Sequence, residues 1–357
     1  MKYYLHVGLH KTATKFFQHR VFPFLPGERI NYNPAKLTQL VCDLMKAAPE
    51  DVDMVIDAIA AEKAKLQRES RDVLMSREIM SGDLFSFYKD YEETISRLSR
   101  AFEEAEILLA FRFQPEWIVS CYRETVHEHH FQTLSEFLNT SPGIADNGFA
   151  HADYRTLDWT GILRTYCERF GSRHVHVSFF ERFTADKVGA VREMYSVLGL
   201  EGEPEIRDQG TIPNRGYSAL AINLSLWRYR MLRKLGLEKR LVHRPIFFFG
   251  EDGIPAGFEE LSSLPVEPYW GERFLRDGEE IRPAGYPKLS FADSIRMSLS
   301  WRSLMKRGLD RIAYFDGDVC KEKRRELEAY FHHDNKRFQE YARTLGVDVP
   351  KQYLGAT

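Results

Sequence analysis

Along the first half of the chain, short apolar runs alternate with longer stretches of helical period. No other feature constrains the fold as much. The runs at 3–7, 73–76, 107–111 and 175–179, with a weaker one at 29–32, are four or five residues long and bounded by turn or charged residues. They are too short for helices and have the apolar character of buried strands. Between them the periodicity predicts helices over 14–24, 35–47, 52–69, 91–104, 115–130, 156–170 and 185–198. Each strand-to-strand interval is long enough for a right-handed crossover. The expectation is an α/β fold: a parallel β-sheet flanked by helices.

After Gly199 the pattern changes. Helices are predicted over 218–235, 290–306 and 321–345, with an irregular stretch rich in Pro, Gly and aromatics over 245–287. No strand of the main sheet is evident there, and there is no internal repeat. A length of 357 residues allows two domains or one large α/β domain with insertions. The reading is a single domain over 1–357, with an α/β core at 1–205 and a mostly helical C-terminal extension at 206–357 packed over the sheet.

Composition removes several function classes. Lys+Arg 50 against Asp+Glu 52 gives a net charge of −2, which argues against sequence-independent nucleic-acid binding. The four cysteines (Cys42, Cys121, Cys167, Cys320) contain no C-x-x-C pair, so neither a zinc knuckle nor a disulfide framework is expected, and free thiols fit a reducing compartment. The start, Met1-Lys2-Tyr3-Tyr4-Leu5-His6-Val7-Gly8, has no apolar core of a signal peptide, and no long uninterrupted apolar stretch follows. A soluble, cytoplasmic protein is expected, of no particular oligomeric state. One segment stands apart. Residues 227–244 carry Arg228, Arg230, Arg233, Lys234, Lys239, Arg240 and Arg244 against the single acid Glu238. That pattern suits a solvated helix face, a site for an anionic acceptor, or peripheral contact with an anionic membrane.

Chemistry concentrates first in Gly8-Leu9-His10-Lys11-Thr12-Ala13-Thr14-Lys15, which leaves an apolar strand and opens a helix. Free N–H donors at a helix start, the mobile cation of Lys11 and the hydroxyls of Thr12 and Thr14 together have the composition of a phosphate loop. It is not a Walker loop: the positions where that motif needs Gly hold His10 and Leu5. No apolar strand ends in the Asp that would help hold Mg²⁺, which disfavours an ATP- or GTP-hydrolysing site.

A second constellation is Arg112 at the carboxyl end of a buried strand, with Ser120 eight residues on. Ligands of open α/β sheets bind at that edge. Pro115 suits the first turn of the next helix and Ser120 its second turn. A guanidinium plus a hydroxyl makes a clamp for a second phosphate.

With these two motifs the chain resembles the sulfotransferases that use 3′-phosphoadenosine-5′-phosphosulfate (PAPS). Lys11-Thr12-Ala13-Thr14 matches that family's loop for the 5′-phosphosulfate, and Arg112 with Ser120 matches its 3′-phosphate clamp. Arg112-x-Gln114-x-x-Trp117-x-x-Ser120-x-Tyr122 looks more like the bacterial carbohydrate-type branch than the phenol and steroid branch. A thinner likeness runs through Trp159, Phe170-Gly171, Phe180-Glu181, Asn214-Arg215-Gly216 and Asp334-Asn335. Ala13 stands where Gly is commoner, which a negative φ would tolerate, and Lys15 stands where Ser or Thr is usual. The resemblance implies that the sheet is P-loop-like, that 1–205 is the nucleotide-binding core, and that His10, Lys11, Thr12, Ala13, Thr14, Lys15, Arg112, Ser120 and Arg215 bind the cofactor. It implies PAPS as co-substrate without a metal, and transfer to a hydroxyl or amine of a carbohydrate or glycolipid-like acceptor.

In such a transfer Lys11 would stabilise the bridging oxygen. Glu78, just past the strand at 73–76, is the first choice of general base, since glycan sulfotransferases have a Glu in the comparable place. A structural ion pair to Arg77 is its competing role. His127 and His130, near the end of the helix carrying Ser120, are the second choice of base. The His127-Glu128-His129-His130 run lacks the HExxH spacing, so no metal site is expected. His332-His333 reads as surface. A P-loop kinase-like phosphotransferase of a small molecule is the alternative function, and it would need a Mg²⁺-binding carboxylate. The acceptor itself depends on 139–154 and 245–287, whose residues follow no readable pattern.

Overall fold

In the computed structural model the described residues are 1–82, 84, 87–127, 133–138, 154–207, 216–236, 274–276, 279–281, 301, 304–310 and 321–354. In chain order the principal elements begin with β1 (Tyr3–His6), α1 (Thr14–Arg20), β2 (Ile30–Tyr32), α2 (Ala35–Lys46), α3 (Val52–Leu66) and β3 (Asp72–Ser76). Then come α4 (Tyr91–Ala101), β4 (Glu106–Phe111), α5 (Gln114–His127), α6 (Leu134–Leu138), α7 (Trp159–Phe170) and β5 (Val175–Phe179). The remainder are α8 (Phe180–Ala185), α9 (Lys187–Val197), α10 (Ala219–Lys234), β6 (Phe274–Arg276), β7 (Glu279–Ile281) and α11 (Lys321–Thr344).

Strands β1 to β5 form one parallel sheet in the order β2-β3-β1-β4-β5, with Leu5 opposite Met75 on one side and Ile107 on the other. The fold is an α/β parallel sheet, as the apolar runs predict, with all five runs as strands and P-loop-like topology. The short antiparallel pair β6–β7 lies outside this sheet. Chain connections leave β1 toward β2 and leave the adjacent β4 toward β5, in opposite directions. The carboxyl ends of β1 and β4 therefore border a topological switch point, the crevice where open α/β sheets bind ligands.

Both faces of the sheet are covered. Side chains alternate along a strand, and Tyr4, Leu74 and Leu108 face one side, packed with Phe17, Val21 and Phe22 from α1 and the turn after it and with Val191, Met194 and Tyr195 of α9. On the other side Phe111 meets Trp159 of α7 (5.5 Å between ring centres) and Phe338 of α11 (4.9 Å). Contacts group the chain into two compact units, one of 1–121, 134–213 and 320–357 and the other of 122–133 and 214–319. The sheet and α11 belong to the first, whereas α10, β6 and β7 belong to the second.

Helix boundaries differ from the periodicity in ways with local causes. The helix expected from 156 starts at Trp159 because Asp158 caps it, accepting from the Gly161 N–H at 2.9 Å. The one expected over 185–198 opens only at Lys187, with Asp186 capping the Gly189 N–H at 2.8 Å. The predicted 14–24 helix ends at Arg20 and continues as a 3₁₀ turn over Phe22–Phe24, with Pro23 inside it. Most of the predicted 290–306 helix lies outside the described residues. Among the described residues no helix is long and apolar enough to cross a membrane.

Candidate functional site

The loop between β1 and α1 is built tightly and against local preference. Lys11 and Ala13 both sit in the left-handed region, with φ of 67° and 71°. The negative φ that would make Ala13 an easy substitute for Gly is not adopted. Thr12 and Thr14 are buried, and their hydroxyls donate to the carbonyls of Leu9 and Gly8 respectively, so both lock the loop on itself. Gly8 is required by space: a Cβ there would stand 2.6 Å from Thr14 Oγ1. Lys11 is half-buried and Lys15 exposed.

Aromatic groups fix this loop from behind. The indole of Trp117 donates to the His10 carbonyl at 2.7 Å, and the hydroxyl of Tyr88 accepts from the His10 N–H at 2.8 Å. Tyr88 also reaches His10 Nδ1 at 3.1 Å, with Ser81 Oγ 3.4 Å from the same nitrogen. Tyr88 and its neighbour Phe87 are buried at positive φ (57° and 53°), a strained pair of the kind that gathers at functional sites. Burial pushes the Tyr88 phenol far above its ordinary range, so it is a neutral hydrogen-bonding group.

The Arg112 segment is brought to the same place. Arg112 Nη1 donates to the Lys11 carbonyl at 3.2 Å, and the guanidinium lies 4.2 Å from the centre of the Phe180 ring. Its own carbonyl accepts from Trp159 Nε1 at 2.8 Å. The next residue, Phe113, donates its N–H to Glu181 Oε1 at 2.9 Å, and Gln114 Nε2 donates to Asp334 Oδ2 at 2.7 Å. Burial raises the Glu181 carboxyl, while the Phe113 N–H and the Arg112 charge oppose that. Ser120 is half-buried on α5, three residues after Trp117 and so on the helix side that meets the loop.

Glu78 follows β3, on the other flank of β1. The strand end that delivers it is held at Ser76, whose N–H donates to Asn33 Oδ1 at 2.8 Å and whose carbonyl accepts from Gln18 Nε2 at 3.0 Å. Ser76 Oγ shares a 2.7 Å hydrogen bond with Nδ1 of the buried His6. Glu78 opens a short 3₁₀ turn, and its carbonyl accepts from Ser81 Oγ at 2.7 Å. Ser81 thus ties the Glu78 turn to His10 of the loop. Arg77, the competing ion-pair partner for Glu78, hydrogen-bonds Cys42.

The sheet therefore brings His10 to Lys15, Glu78, Arg112 and Ser120 to one edge. Arg215 lies outside the described residues, as do Glu128, His129 and His130. His127 is the last residue of α5, and His332 and His333 are exposed on α11. Of the two stretches left to the acceptor, 139–154 and 245–287, nearly all lies outside the described residues. Among the described residues no cluster of His, Cys, Asp or Glu has the arrangement of a metal site. Tyr88, Ser81 and the Asn33–Gln18–His6 brace on Ser76 carry no motif and escape sequence reasoning.

Among known proteins, no family model and no curated sequence matches this chain. A solved structure, the sulfotransferase from Alicyclobacillus acidocaldarius, aligns over 69% of this chain and 97% of its own, with 21% identity and a TM-score of 0.41. The residues of the site, not this likeness, carry the functional reading.

Proposed function

We propose that this protein is a PAPS-dependent sulfotransferase that moves a sulfuryl group to a hydroxyl or amine of a carbohydrate or glycolipid-like acceptor. The observation that carries the reading is the 3.2 Å hydrogen bond from Arg112 to the Lys11 carbonyl. It makes one site of two cationic elements that are a hundred residues apart in sequence. A ligand with two separate anionic groups on one small body is what such a pair suits. The donor set fits a 3′,5′-phosphorylated nucleotide: the loop before α1 and Lys11 for the 5′ side, Arg112 and Ser120 for the 3′-phosphate.

PAPS, when bound, supplies an activated sulfuryl group on a good phosphate leaving group. The chain's own residues do the rest. Lys11 neutralises charge that builds on the bridging oxygen, and the loop, held by Tyr88 and Trp117, keeps its place without reorganising. Glu78 accepts the acceptor's proton as the new bond to sulfur forms and the bridging bond breaks. Tyr88, Trp117 and Ser81 hold the loop and the Glu78 turn in register.

A thermal-shift comparison of nucleotides tests this, since only a ligand that binds the native state raises the midpoint. Adenosine 3′,5′-bisphosphate should stabilise the protein without Mg²⁺ and ATP far less. A larger shift with ATP and Mg²⁺ would replace this reading with a kinase-like phosphotransferase.

A further inference from the structure

Helix α10 presents apolar groups on two opposite sides. Ala219, Ala221, Ile222, Ser225 and Leu226 are buried, and Ser225 Oγ accepts from Trp301 Nε1 at 2.7 Å. Arg228 belongs to this inner side, with its guanidinium 4.9 Å from the Trp301 ring centre. The opposite side carries Trp227, Met231 and, at the residue that caps the helix, Leu235, which are 60%, 41% and 63% exposed. A spacing of four residues keeps all three within an arc of about 80°. Arg230 and Lys234, both exposed, border this stripe. No other three large exposed apolar residues among those described share one face of one helix.

We propose that α10 docks on an anionic lipid surface, with Trp227, Met231 and Leu235 entering the boundary between headgroups and acyl chains and Arg230 and Lys234 held by lipid phosphates. An indole with its polar N–H and long cationic side chains beside an apolar stripe suit that boundary. Charge selects this occupant. Between Trp227 and Gly236 there are four basic residues (Arg228, Arg230, Arg233, Lys234) and no acid, on a chain of net charge −2. A second copy seated on the same face would oppose cation to cation across a two-fold interface. A uniformly anionic bilayer meets no such repulsion. The inference stands apart from the sulfotransferase reading, because its test measures no transfer.

The full chain is sedimented with vesicles of phosphatidylcholine alone and of phosphatidylcholine with about a third phosphatidylserine, an anionic surface. It should pellet with the second and not the first, with a blue shift of indole emission. Trp227→Phe should keep binding and lose most of that shift. The triple change Trp227→Ser, Met231→Ser, Leu235→Ser should cut binding at least about tenfold, and Arg230→Gln and Lys234→Gln about fivefold each. All these side chains point outward, so melting temperatures should stay at wild type. Binding that is absent, equal on neutral vesicles, or unchanged in the triple variant overturns the proposal. So does a dimer in sedimentation velocity that the triple variant dissolves, which would make the stripe an interface between copies.

Discussion

Arg112 donates through Nη1 to the carbonyl of Lys11 at 3.2 Å, so the group assigned to the 3′-phosphate also braces the loop assigned to the phosphosulfate. Replacing it removes both contacts. Arg112→Ala should weaken binding of adenosine 3′,5′-bisphosphate by about 1.5–3 kcal/mol, the loss of a charge-assisted site. Adenosine 5′-phosphate should lose only a few-fold, from the loosened loop. Calorimetric titration of both nucleotides separates the two contributions. Equal losses would mean that Arg112 acts on the ligand through the loop alone.

Ala13 at φ 71° is a second point of leverage. The left-handed region costs an L-residue about 1–2 kcal/mol, of which an added glycine returns part to the unfolded chain. Ala13 also packs on the cluster around Phe17, so its methyl is not without use. The expected net gain for Ala13→Gly is up to about 1 kcal/mol in denaturant unfolding. Ala13→Val should go the other way by more than that, because a β-branched residue strongly resists this conformation. A destabilised Gly variant would show that the methyl contact outweighs the backbone strain.

Glu78 has two competing roles, and an isosteric change divides them. Glu78→Gln keeps the shape and hydrogen-bonding capacity but takes no proton. As general base, Glu78 predicts an acceptor-dependent turnover lowered by about 10²–10⁴-fold, with cofactor affinity within a few-fold of wild type. As a structural ion pair, it predicts a lower melting temperature and near-normal turnover. Measured beside His127→Asn and His130→Asn, a dead histidine variant with an active Glu78→Gln moves the base to α5.

The sheet was legible because its central strands β1, β3 and β4 are buried beyond their first residues, and burial on both faces leaves unbroken apolar runs such as Ile107–Phe111. The charged part of the candidate site was placed from sequence for a related reason. Lys11 and Arg112 each stand just beyond such a run, where the edge that binds ligands can be named from sequence. The thin likeness at Trp159, Phe180-Glu181 and Asp334 also acquires a physical basis: each fastens Arg112 or one of the two residues after it. What stayed hidden were contacts fixed only by tertiary packing. Nothing around Tyr88 announces that its hydroxyl will meet the His10 N–H, since the two stand 78 positions apart and the chain between them must fold first. Nor does a propensity scale place the buried Phe87 and Tyr88 at positive φ.

His6 ends β1 directly below the loop, fully buried between Phe17 and Phe22, and burial lowers its imidazole to about 3. In the unfolded chain it takes a proton near the ordinary value of about 6.5. Above that pH both states are neutral and His6 adds no pH dependence. As pH falls below about 6.5, the unfolded state binds a proton that the folded state refuses, and stability declines until about pH 3. The slope for one such group is about 1.4 kcal/mol per pH unit. In His6→Asn the amide can replace Nδ1 as the partner of Ser76 Oγ, and it does not titrate. The variant starts lower, because a smaller side chain leaves space beside Phe17 and Phe22. Its unfolding free energy should nevertheless fall less steeply than wild type between about pH 6.5 and pH 4, the carboxylates being common to both. Parallel profiles would mean that His6 takes up its proton inside the fold, and that the brace on Ser76 below Glu78 survives a charge.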